Sequence, residues 1–300
     1  MPTQLQGVLP VLYLPFLENS HVDFETLQAE VDFAYQCGAD GVVMAMVTEV
    51  LRLRESERCQ VAEKLIEFSN GRGVVVISVG AESTFMATEL ARHAEAAGAD
   101  AIMAIPPIAT ALGEEQLRCY FQEVFAATNL PLVVQDASSY VGKPMTAAFQ
   151  ASLFNSLGER VSFKPEAAPV GPVISAIHQL TGNKASIYEG SGGSMLVENY
   201  RRGLTGTMCG SDMLDAIVAL WRALNTADEN RINSIAPLVT SILALAVNLD
   251  AYLAIGKHLL RRREIFKNEV VRGPVGFELD AMTCVEVDRL FDLLMNAINE

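Results

Sequence analysis

Gly38-Ala39-Asp40-Gly41-Val42-Val43 and Gly98-Ala99-Asp100-Ala101-Ile102-Met103 are two copies of one junction, in which a glycine that ends a helix is followed at once by an apolar strand. On both sides of these junctions, short apolar runs alternate with stretches whose apolar residues recur every three or four positions, as on the buried face of a helix. Strands that are apolar on both faces and alternate with helices predict an α/β protein, a closed (β/α)8 TIM barrel. The eight predicted strands span residues 7–16, 41–46, 74–80, 101–107, 131–136, 161–166, 186–190 and 205–210.

The predicted catalytic barrel occupies residues 1–226, and residues 227–300 form a C-terminal helical appendage. This appendage contains one long helix or two shorter ones within residues 229–266 and a last helix at 284–299, separated by a loop rich in glycine and proline. We expect the apolar helix before that loop to pack on the barrel or on another subunit, which indicates a homodimer or a homotetramer. The barrel helices are predicted at residues 23–37, 57–69, 84–97, 114–128, 146–157 and 213–225.

The 300 residues carry 22 lysines and arginines against 36 aspartates and glutamates, a net charge of −14. Half of the chain is apolar and only 19% is charged, which excludes a disordered, collagen-like or coiled-coil protein. The negative charge repels nucleic acid and anionic membrane surfaces. A single buried cation can outweigh a diffuse surface charge, so an anionic small molecule stays a candidate ligand.

The five cysteines form no C-x-x-C pair and no cluster with histidine, which predicts reduced thiols and a cytoplasmic protein. Residues 1–7 lack the pattern of a secretion signal, and the most apolar long stretch, residues 235–256, is interrupted by Pro237, Asn248 and Asp250, so no membrane span is expected. The four histidines show neither H-x-H nor H-E-x-x-H spacing, and we expect no metal site.

Few polar residues follow the predicted strands, at the end of the barrel where catalytic groups gather, and Lys164 is the one cation among them. Side chains two residues apart in a strand share a face, so Lys164 and Glu166 should both point into the barrel if Phe163 faces the helices. A desolvated lysine offers a neutral amine that can form a Schiff base with a carbonyl carbon, and a structural ion pair with Glu166 explains the same pattern. The other polar candidates are Thr48, Glu49, Gln135, Asp136, Ser138, Ser139, Tyr140, Glu189, Ser191, Cys209 and Ser211.

A glycine-rich segment, Gly190-Ser191-Gly192-Gly193-Ser194, follows the seventh strand. It does not match the dinucleotide-binding fingerprint, because Met195 occupies the position of the last glycine. Backbone N–H groups of Gly190 and Ser191 can hold a carboxylate or sugar hydroxyls, and a tight turn that needs glycines is the alternative.

With these residues assembled, the chain resembles the dihydrodipicolinate synthase and N-acetylneuraminate lyase family along almost its whole length. The resemblance implies that Lys164 forms a Schiff base with a 2-keto acid, either pyruvate or a keto-deoxy sugar acid, without any other cofactor. It also implies that Met208 contacts the substrate. The segments that carry the resemblance are Pro15-Phe16, the two Gly-Ala-Asp junctions, Pro106-Pro107, Phe163-Lys164 and residues 203–208.

Two loops depart from the family pattern. The Gly-Thr-Thr-Gly-Glu usual after strand 2 reads Ala45-Met46-Val47-Thr48-Glu49 here, so the pair of hydroxyls that relays protons is lost and the glutamate is kept. After strand 5, Gln135 replaces the catalytic tyrosine and Tyr140 replaces an arginine. The run Gln-Asp-Ala from Gln135, the Thr-Glu pair and the Lys-x-Glu of strand 6 are similar to a branch of 2-keto-3-deoxy sugar acid dehydratases that resembles L-2-keto-3-deoxyarabonate dehydratase.

This resemblance predicts a Schiff-base lyase that dehydrates a 2-keto-3-deoxy sugar acid. Gln135 would orient the substrate, since an amide cannot shuttle a proton, and Glu166 would be either the general acid/base or a fixed counter-ion of Lys164. The alternatives are a pyruvate-dependent aldolase or synthase, including dihydrodipicolinate synthase, and a non-catalytic 2-keto acid binding protein. The expected substrate contacts are Thr48, Glu49, Asp136, Ser138, Tyr140, Gly190, Ser191 and Met208.

Overall fold

All eight predicted strands are present in the computed structural model, which describes residues 5–138 and 141–300. Each strand is shorter than its apolar run, and most of the run outside the strand lies at the carboxyl end, where the chain passes into a loop. The strands are β1 (Gly7–Val8), β2 (Gly41–Met44), β3 (Val74–Ser78), β4 (Ala101–Ala104), β5 (Leu132–Gln135), β6 (Val161–Lys164), β7 (Tyr188–Glu189) and β8 (Gly206–Thr207).

The strands pair in parallel in two sheets, one in the order β2-β3-β4-β5-β6 and one in the order β1-β8-β7. Single parallel bridges link the two sheets at both sides, between Val11 and Val43 and between Phe163 and Ile187. Each strand therefore has a neighbour on either side. The predicted α/β fold, a (β/α)8 arrangement with a C-terminal helical appendage, is confirmed.

Helices alternate with the strands up to residue 226, and three more follow. Glycines in the left-handed conformation end two of them, Gly38 with φ 92° and Gly98 with φ 97°, as the repeated junction predicts. The helices are α1 (Phe24–Cys37), α2 (Glu55–Ser69), α3 (Thr84–Ala97), α4 (Glu114–Ala126), α5 (Ala147–Leu157), α6 (Val170–Leu180), α7 (Leu196–Tyr200), α8 (Leu214–Thr226), α9 (Glu229–Leu243), α10 (Leu249–Arg262) and α11 (Ala281–Asn299).

The aspartate of each repeated junction binds the backbone of the preceding strand. Asp40 Oδ2 accepts a hydrogen bond from Val8 N at 2.8 Å, and Asp100 Oδ2 accepts one from Val75 N at 2.8 Å. A side chain at Gly7 would collide with the Asp40 carboxylate, so this close approach requires glycine there. The junction thus ends a helix, begins a strand and ties that strand to its neighbour.

Buried side chains form an outer core between strands and helices and an inner core inside the barrel. Helix α10 contributes Tyr252, Leu253 and Leu260 to the inner core, so it packs across the carboxyl end of the barrel. The predicted long helix is broken into α9 and α10, and Asn248 caps the second of them by accepting a hydrogen bond from Ala251 N.

Helix α8 ends at Thr226 and α9 begins at Glu229, on either side of the predicted boundary at residues 226 and 227. The division of the chain into a barrel at residues 1–226 and a helical region at residues 227–300 stays a prediction. Among residues 5–138 and 141–300, no helix has the length and apolarity that a membrane crossing needs.

Candidate active site

Lys164 is the last residue of β6 and is 4% exposed. Its neighbour Phe163 packs in the outer core against the helices, so Lys164 points into the barrel, where it lines a cavity at the carboxyl ends of the strands. The Lys164 Nζ lies 2.8 Å from Glu166 Oε1, and both side chains are almost completely buried. The structure therefore brings together the amine and carboxylate that the sequence placed on one face.

Gln135, at the end of β5, pairs in register with Lys164 and donates from Nε2 to Glu166 Oε1 at 3.0 Å. The same oxygen of Glu166 thus contacts the Lys164 ammonium group and accepts a hydrogen bond from Gln135. The other oxygen, Oε2, and the Gln135 Oε1 are buried acceptors without a partner among the described residues. Burial raises the pKa of Glu166, and the neighbouring Lys164 opposes that rise.

The cavity at Lys164 is narrow, with a volume of about 10 Å³, enough room for about one water molecule. A ligand larger than water therefore needs side chains of the wall to move, and the unbranched side chains of Met46 and Met208 are the most adaptable of them. Strand ends and helix α10 supply the wall, which consists of Val11, Ala45, Met46, Val47, Gln135, Lys164, Gly190, Gly192, Met208, Cys209, Gly210 and Tyr252.

The two candidates after strand 2 direct their side chains to the protein itself. Thr48 Oγ1 donates to Leu12 O at 2.8 Å and accepts from Ala45 N at 3.0 Å, which fixes the loop. Glu49 is fully buried, and its Oε1 lies 2.6 Å from Lys257 Nζ. Neither side chain lines the Lys164 cavity, and their contacts with substrate stay predictions.

The loop after strand 5 is closed by Asp136, whose carboxylate accepts from Ser138 N at 3.0 Å and from Met145 N at 2.9 Å. The hydroxyl of Ser138 is buried without a partner among the described residues. Tyr140, together with Ser139, lies outside the described residues. The predicted substrate contacts of this loop stay predictions.

Gly190 lies directly beside the lysine. A Cβ at this position would be 2.8 Å from Glu166 Oε1 and 3.0 Å from Lys164 Cε, so only glycine fits against the ion pair. Ser191 donates its N–H to Glu189 Oε1 at 2.7 Å, and its hydroxyl bonds to the same oxygen. The segment after β7 is therefore a tight turn, and the candidates from strands 7 and 8 that line the cavity are Gly190, Met208 and Cys209.

Two residues of helix α10 belong to this end of the barrel and were missed in the sequence. Tyr252 lines the Lys164 cavity, and Lys257 is a second buried lysine. Lys257 Nζ donates to Glu49 Oε1 at 2.6 Å and to Val270 O at 2.8 Å. Its sequence signal is a lysine between Leu253 and Leu260 on the apolar face of the helix.

A buried polar cluster adjoins the cavity between β8, α1 and the chain after β1. Tyr13 Oη donates to Asp212 Oδ1 at 3.0 Å, and Glu30 Oε1 accepts from Tyr13 N at 2.8 Å and from Ser211 Oγ at 2.5 Å. Burial raises the pKa of Glu30 to about 8 and that of Asp212 to about 6. Tyr252 of α10 borders this cluster, because its ring stacks on that of Tyr13 and its hydroxyl accepts a hydrogen bond from Gly210 N at 3.1 Å.

The fold and site together define a barrel protein with a buried lysine and carboxylate at the end of strand 6. The chain belongs to the dihydrodipicolinate synthetase family, whose model matches residues 4–280. The predicted family resemblance is therefore confirmed.

Two relatives illustrate how the chain compares with known sequences. It is 32% identical over 184 residues to the 4-hydroxy-tetrahydrodipicolinate synthase of Methanocaldococcus jannaschii, covering 59% of this chain and 63% of the relative. It is 25% identical over 279 residues to the L-2-keto-3-deoxyarabonate dehydratase of Azospirillum brasilense, covering 90% of this chain and 88% of the relative. The matches to the synthases thus span less than two thirds of their length.

Solved structures show the same fold. The dihydrodipicolinate synthase from Rhodopseudomonas palustris superposes with a TM-score of 0.86 at 24% identity, covering 96% of this chain and 97% of that one. YagE from E. coli K12, a family member solved in complex with pyruvate, superposes with a TM-score of 0.85 at 20% identity, covering 98% and 99% of the two chains.

Proposed function

We propose that this protein is a lyase that forms a Schiff base between Lys164 and a 2-keto acid, and that it dehydrates a 2-keto-3-deoxy sugar acid. The observation that carries the proposal is the buried contact of 2.8 Å between Lys164 Nζ and Glu166 Oε1 inside the barrel mouth. No cofactor beyond the lysine is required for this chemistry.

Glu166 prepares the lysine for attack. Because burial raises the pKa of Glu166, its carboxylate readily takes a proton from the Lys164 ammonium group and leaves a neutral amine. The amine adds to the C2 carbonyl, and the carbinolamine oxygen leaves as water with the proton that Glu166 returns. The product is an iminium ion, with the positive charge on the Lys164 nitrogen and the Glu166 carboxylate restored beside it.

Dehydration then proceeds from this iminium ion. The positive nitrogen acidifies C3, a proton leaves C3, and its electron pair forms the C2–C3 double bond of an enamine. The enamine nitrogen pushes its electrons back, the double bond moves to C3–C4, and the C4 hydroxyl leaves as water after receiving a proton. Gln135 orients the reacting groups, because its amide hydrogen-bonds but does not transfer protons.

Two observations support a hydroxylated substrate. Gln135 Oε1 and Glu166 Oε2 are buried acceptors without a partner among the described residues, and sugar hydroxyls are donors that can satisfy them. The similarity to the Azospirillum brasilense dehydratase extends over 90% of this chain.

The second candidate is a pyruvate-dependent aldolase or synthase. Its support is the 32% identity to the Methanocaldococcus jannaschii synthase, which extends over 59% of this chain. The Gln135 amide disfavours it, because that position cannot relay the protons that condensation with an aldehyde needs. Steady-state kinetics with pyruvate and an aldehyde distinguish the two candidates.

Borohydride trapping tests the proposal. The protein is reduced in the presence of pyruvate and, separately, of 2-keto-3-deoxy sugar acids with five and six carbons and both C4 configurations. Intact mass and peptide mapping then locate and weigh the adduct. We expect an adduct on Lys164 that is lighter than the intact sugar acid adduct by one water, whereas a pyruvate adduct formed from a sugar acid would establish cleavage instead.

Lys164→Met keeps the apolar stem and should give no adduct, while Lys184→Met removes an exposed lysine as the matched control and should trap like the wild type. A folded wild-type protein that traps none of these acids would refute Schiff-base chemistry. Normal binding of a 2-keto acid by both the wild type and Lys164→Met, without turnover by either, would instead identify a protein that only binds it.

A further inference from the structure

We propose that Tyr252 of helix α10 is the residue that exchanges protons with the substrate, and that Tyr13 and Asp212 carry those protons to and from it. This inference rests on the proposed function, because it concerns the steps after Lys164 has formed the iminium ion. It assigns to the C-terminal appendage a catalytic residue of a site otherwise built from barrel strands.

Tyr252 lines the cavity, and two glycines leave the space that its hydroxyl occupies. A Cβ at Gly192 would be 2.9 Å from the Tyr252 oxygen, and a Cβ at Gly210 would be 2.7 Å from it. Both glycines line the cavity with Lys164, and Gly210 N donates to the same oxygen at 3.1 Å. The ring itself is held by Tyr13, which stacks on it with centroids 6.1 Å apart and an interplanar angle of 6°.

The hydroxyl hydrogens form a directed chain. Tyr13 has one hydroxyl hydrogen and donates it to Asp212 Oδ1 at 3.0 Å. A side-chain hydrogen bond also joins Tyr13 and Tyr252, and the relay assigns its hydrogen to Tyr252, because Tyr13 has given its own to Asp212. With this assignment both hydrogens run toward Asp212, the direction in which a proton taken from a substrate has to move.

Asp212 is a suitable terminus for this chain. It is 3% exposed, and burial raises the pKa of its carboxyl to about 6, so the group is ionised at neutral pH and still binds a proton readily. The titratable groups that face it are Tyr13 after β1, Glu30 of α1, Cys209 after β8, Asp215 of α8 and Arg263 after α10. Arg263 holds the segment in place, since its Nε donates to the Asp212 backbone oxygen at 2.9 Å.

Other groups of the described wall do not fill this role. Gln135 carries an amide, and the Glu166 carboxylate is held as the counter-ion of the positive Lys164 nitrogen through the oxygen that contacts both Lys164 and Gln135. Burial and two acidic neighbours raise the pKa of the Cys209 thiol far above its usual value, so this thiol stays protonated. Tyr252 is the remaining wall residue with an exchangeable proton.

The proton balance closes over one turnover. Tyr252 takes the C3 proton while its own proton passes to Tyr13 and the proton of Tyr13 passes to Asp212, which becomes a neutral acid. The electron pair of the broken C3–H bond forms the enamine. When the C4–O bond breaks, the proton returns along the same chain from Asp212 through Tyr13 and Tyr252 to the leaving oxygen, and Asp212 is ionised again.

Hydrogen–deuterium exchange at C3 isolates this step. Wild type and Tyr252→Phe are incubated in D2O with pyruvate and with a 2-keto-3-deoxypentonate, and loss of the C3 protons is followed by NMR while borohydride trapping is measured in parallel. We expect Tyr252→Phe to trap both acids on Lys164 to the same extent as the wild type, with the sugar acid adduct keeping its C4 hydroxyl, and to exchange C3 protons about 100-fold more slowly. Tyr188→Phe is the matched control, because it removes another buried tyrosine hydroxyl from the barrel, one that donates to Leu5 O, and should exchange at the wild-type rate.

The pH profile separates a relay from a packing role. The wild-type rate of C3 proton exchange should rise with pH through the pKa of Asp212, near 6. Asp212→Asn should exchange slowly, and its rate should not show that rise with pH. Exchange by Tyr252→Phe within threefold of the wild type, or loss of trapping in that variant, would overturn the relay while Lys164 chemistry stands. A wild type that neither traps nor exchanges would refute the proposed function itself.

Discussion

The buried ion pair between Lys257 and Glu49 fastens helix α10 to the loop after β2, and its removal should be costly. Both side chains have an exposure of 0%, and their atoms Nζ and Oε1 are 2.6 Å apart. Lys257 also donates to Val270 O and lies 4.8 Å from the centre of the Phe16 ring. Lys257→Met keeps most of the volume and leaves Glu49 as a buried carboxylate without this partner.

Breaking a buried pair from one side costs about 3–5 kcal/mol. Arg52 Nη1 remains 3.4 Å from Glu49 Oε2, so one cation still faces the carboxylate and we expect the lower end, about 3 kcal/mol. A protein of this size loses roughly 2 °C in Tm per kcal/mol, which corresponds to a decrease of about 6 °C. The double variant Lys257→Met, Glu49→Gln removes both charges, and its free energy of unfolding should exceed that of Lys257→Met by at least about 1 kcal/mol.

Urea unfolding, followed by far-UV circular dichroism and by the fluorescence of the single tryptophan, Trp221, gives the free energies for the cycle. Lys64→Met is the matched control, because Lys64 is paired with Glu67 at the surface and its loss should cost less than about 1 kcal/mol. A Lys257→Met protein within 0.5 kcal/mol of the control, or a double variant as unstable as the two single losses added together, would refute the reasoning.

Three further results follow from buried groups. A Cβ at Gly256 would lie 2.1 Å from ring atoms of Tyr13, so Gly256→Ala should lower stability by about 1–3 kcal/mol in urea unfolding. Burial raises the pKa of Glu30 from 4.5 to about 8, so between these pH values the folded state holds a proton that the unfolded state has released. The contribution of this carboxyl to stability therefore falls by up to about 5 kcal/mol as pH rises through that window. Glu30→Gln should flatten this part of the profile of unfolding free energy against pH. A thiol reagent should modify exposed Cys119 in the native protein and reach buried Cys209 only after unfolding, as peptide mass mapping would show.

The strand and helix pattern was predictable because it depends on local signals. The eight apolar runs and the glycines at positions 38 and 98 each act within a few residues, and the structure has a strand or a helix end at each of them. The contact between Lys164 and Glu166 was also predictable, since it depends on the period of one strand. The break between α9 and α10 was left open, because both sides of it are helical in pattern.

The part contributed by helix α10 was not predictable in the same way. Lys257 and Glu49 are 208 residues apart, and the period of a helix shows which face is apolar without showing what that face covers. For the same reason Thr48 was a candidate ligand, although its hydroxyl is bonded to the backbone of Ala45 and Leu12. Tyr252 reaches the cavity only because two distant glycines leave room for its hydroxyl.

The aspartates of the repeated junction divide the barrel into pairs of strands. Asp40 joins β1 to β2 and Asp100 joins β3 to β4, in each case within about 35 residues of chain, so these contacts close short loops and cost little entropy. We therefore expect each pair to form early, before the ring closes, so that the first half of the barrel assembles from two preformed pairs of strands. The amides of Val8 and Val75 report on this order, since each should become protected with its own pair during refolding.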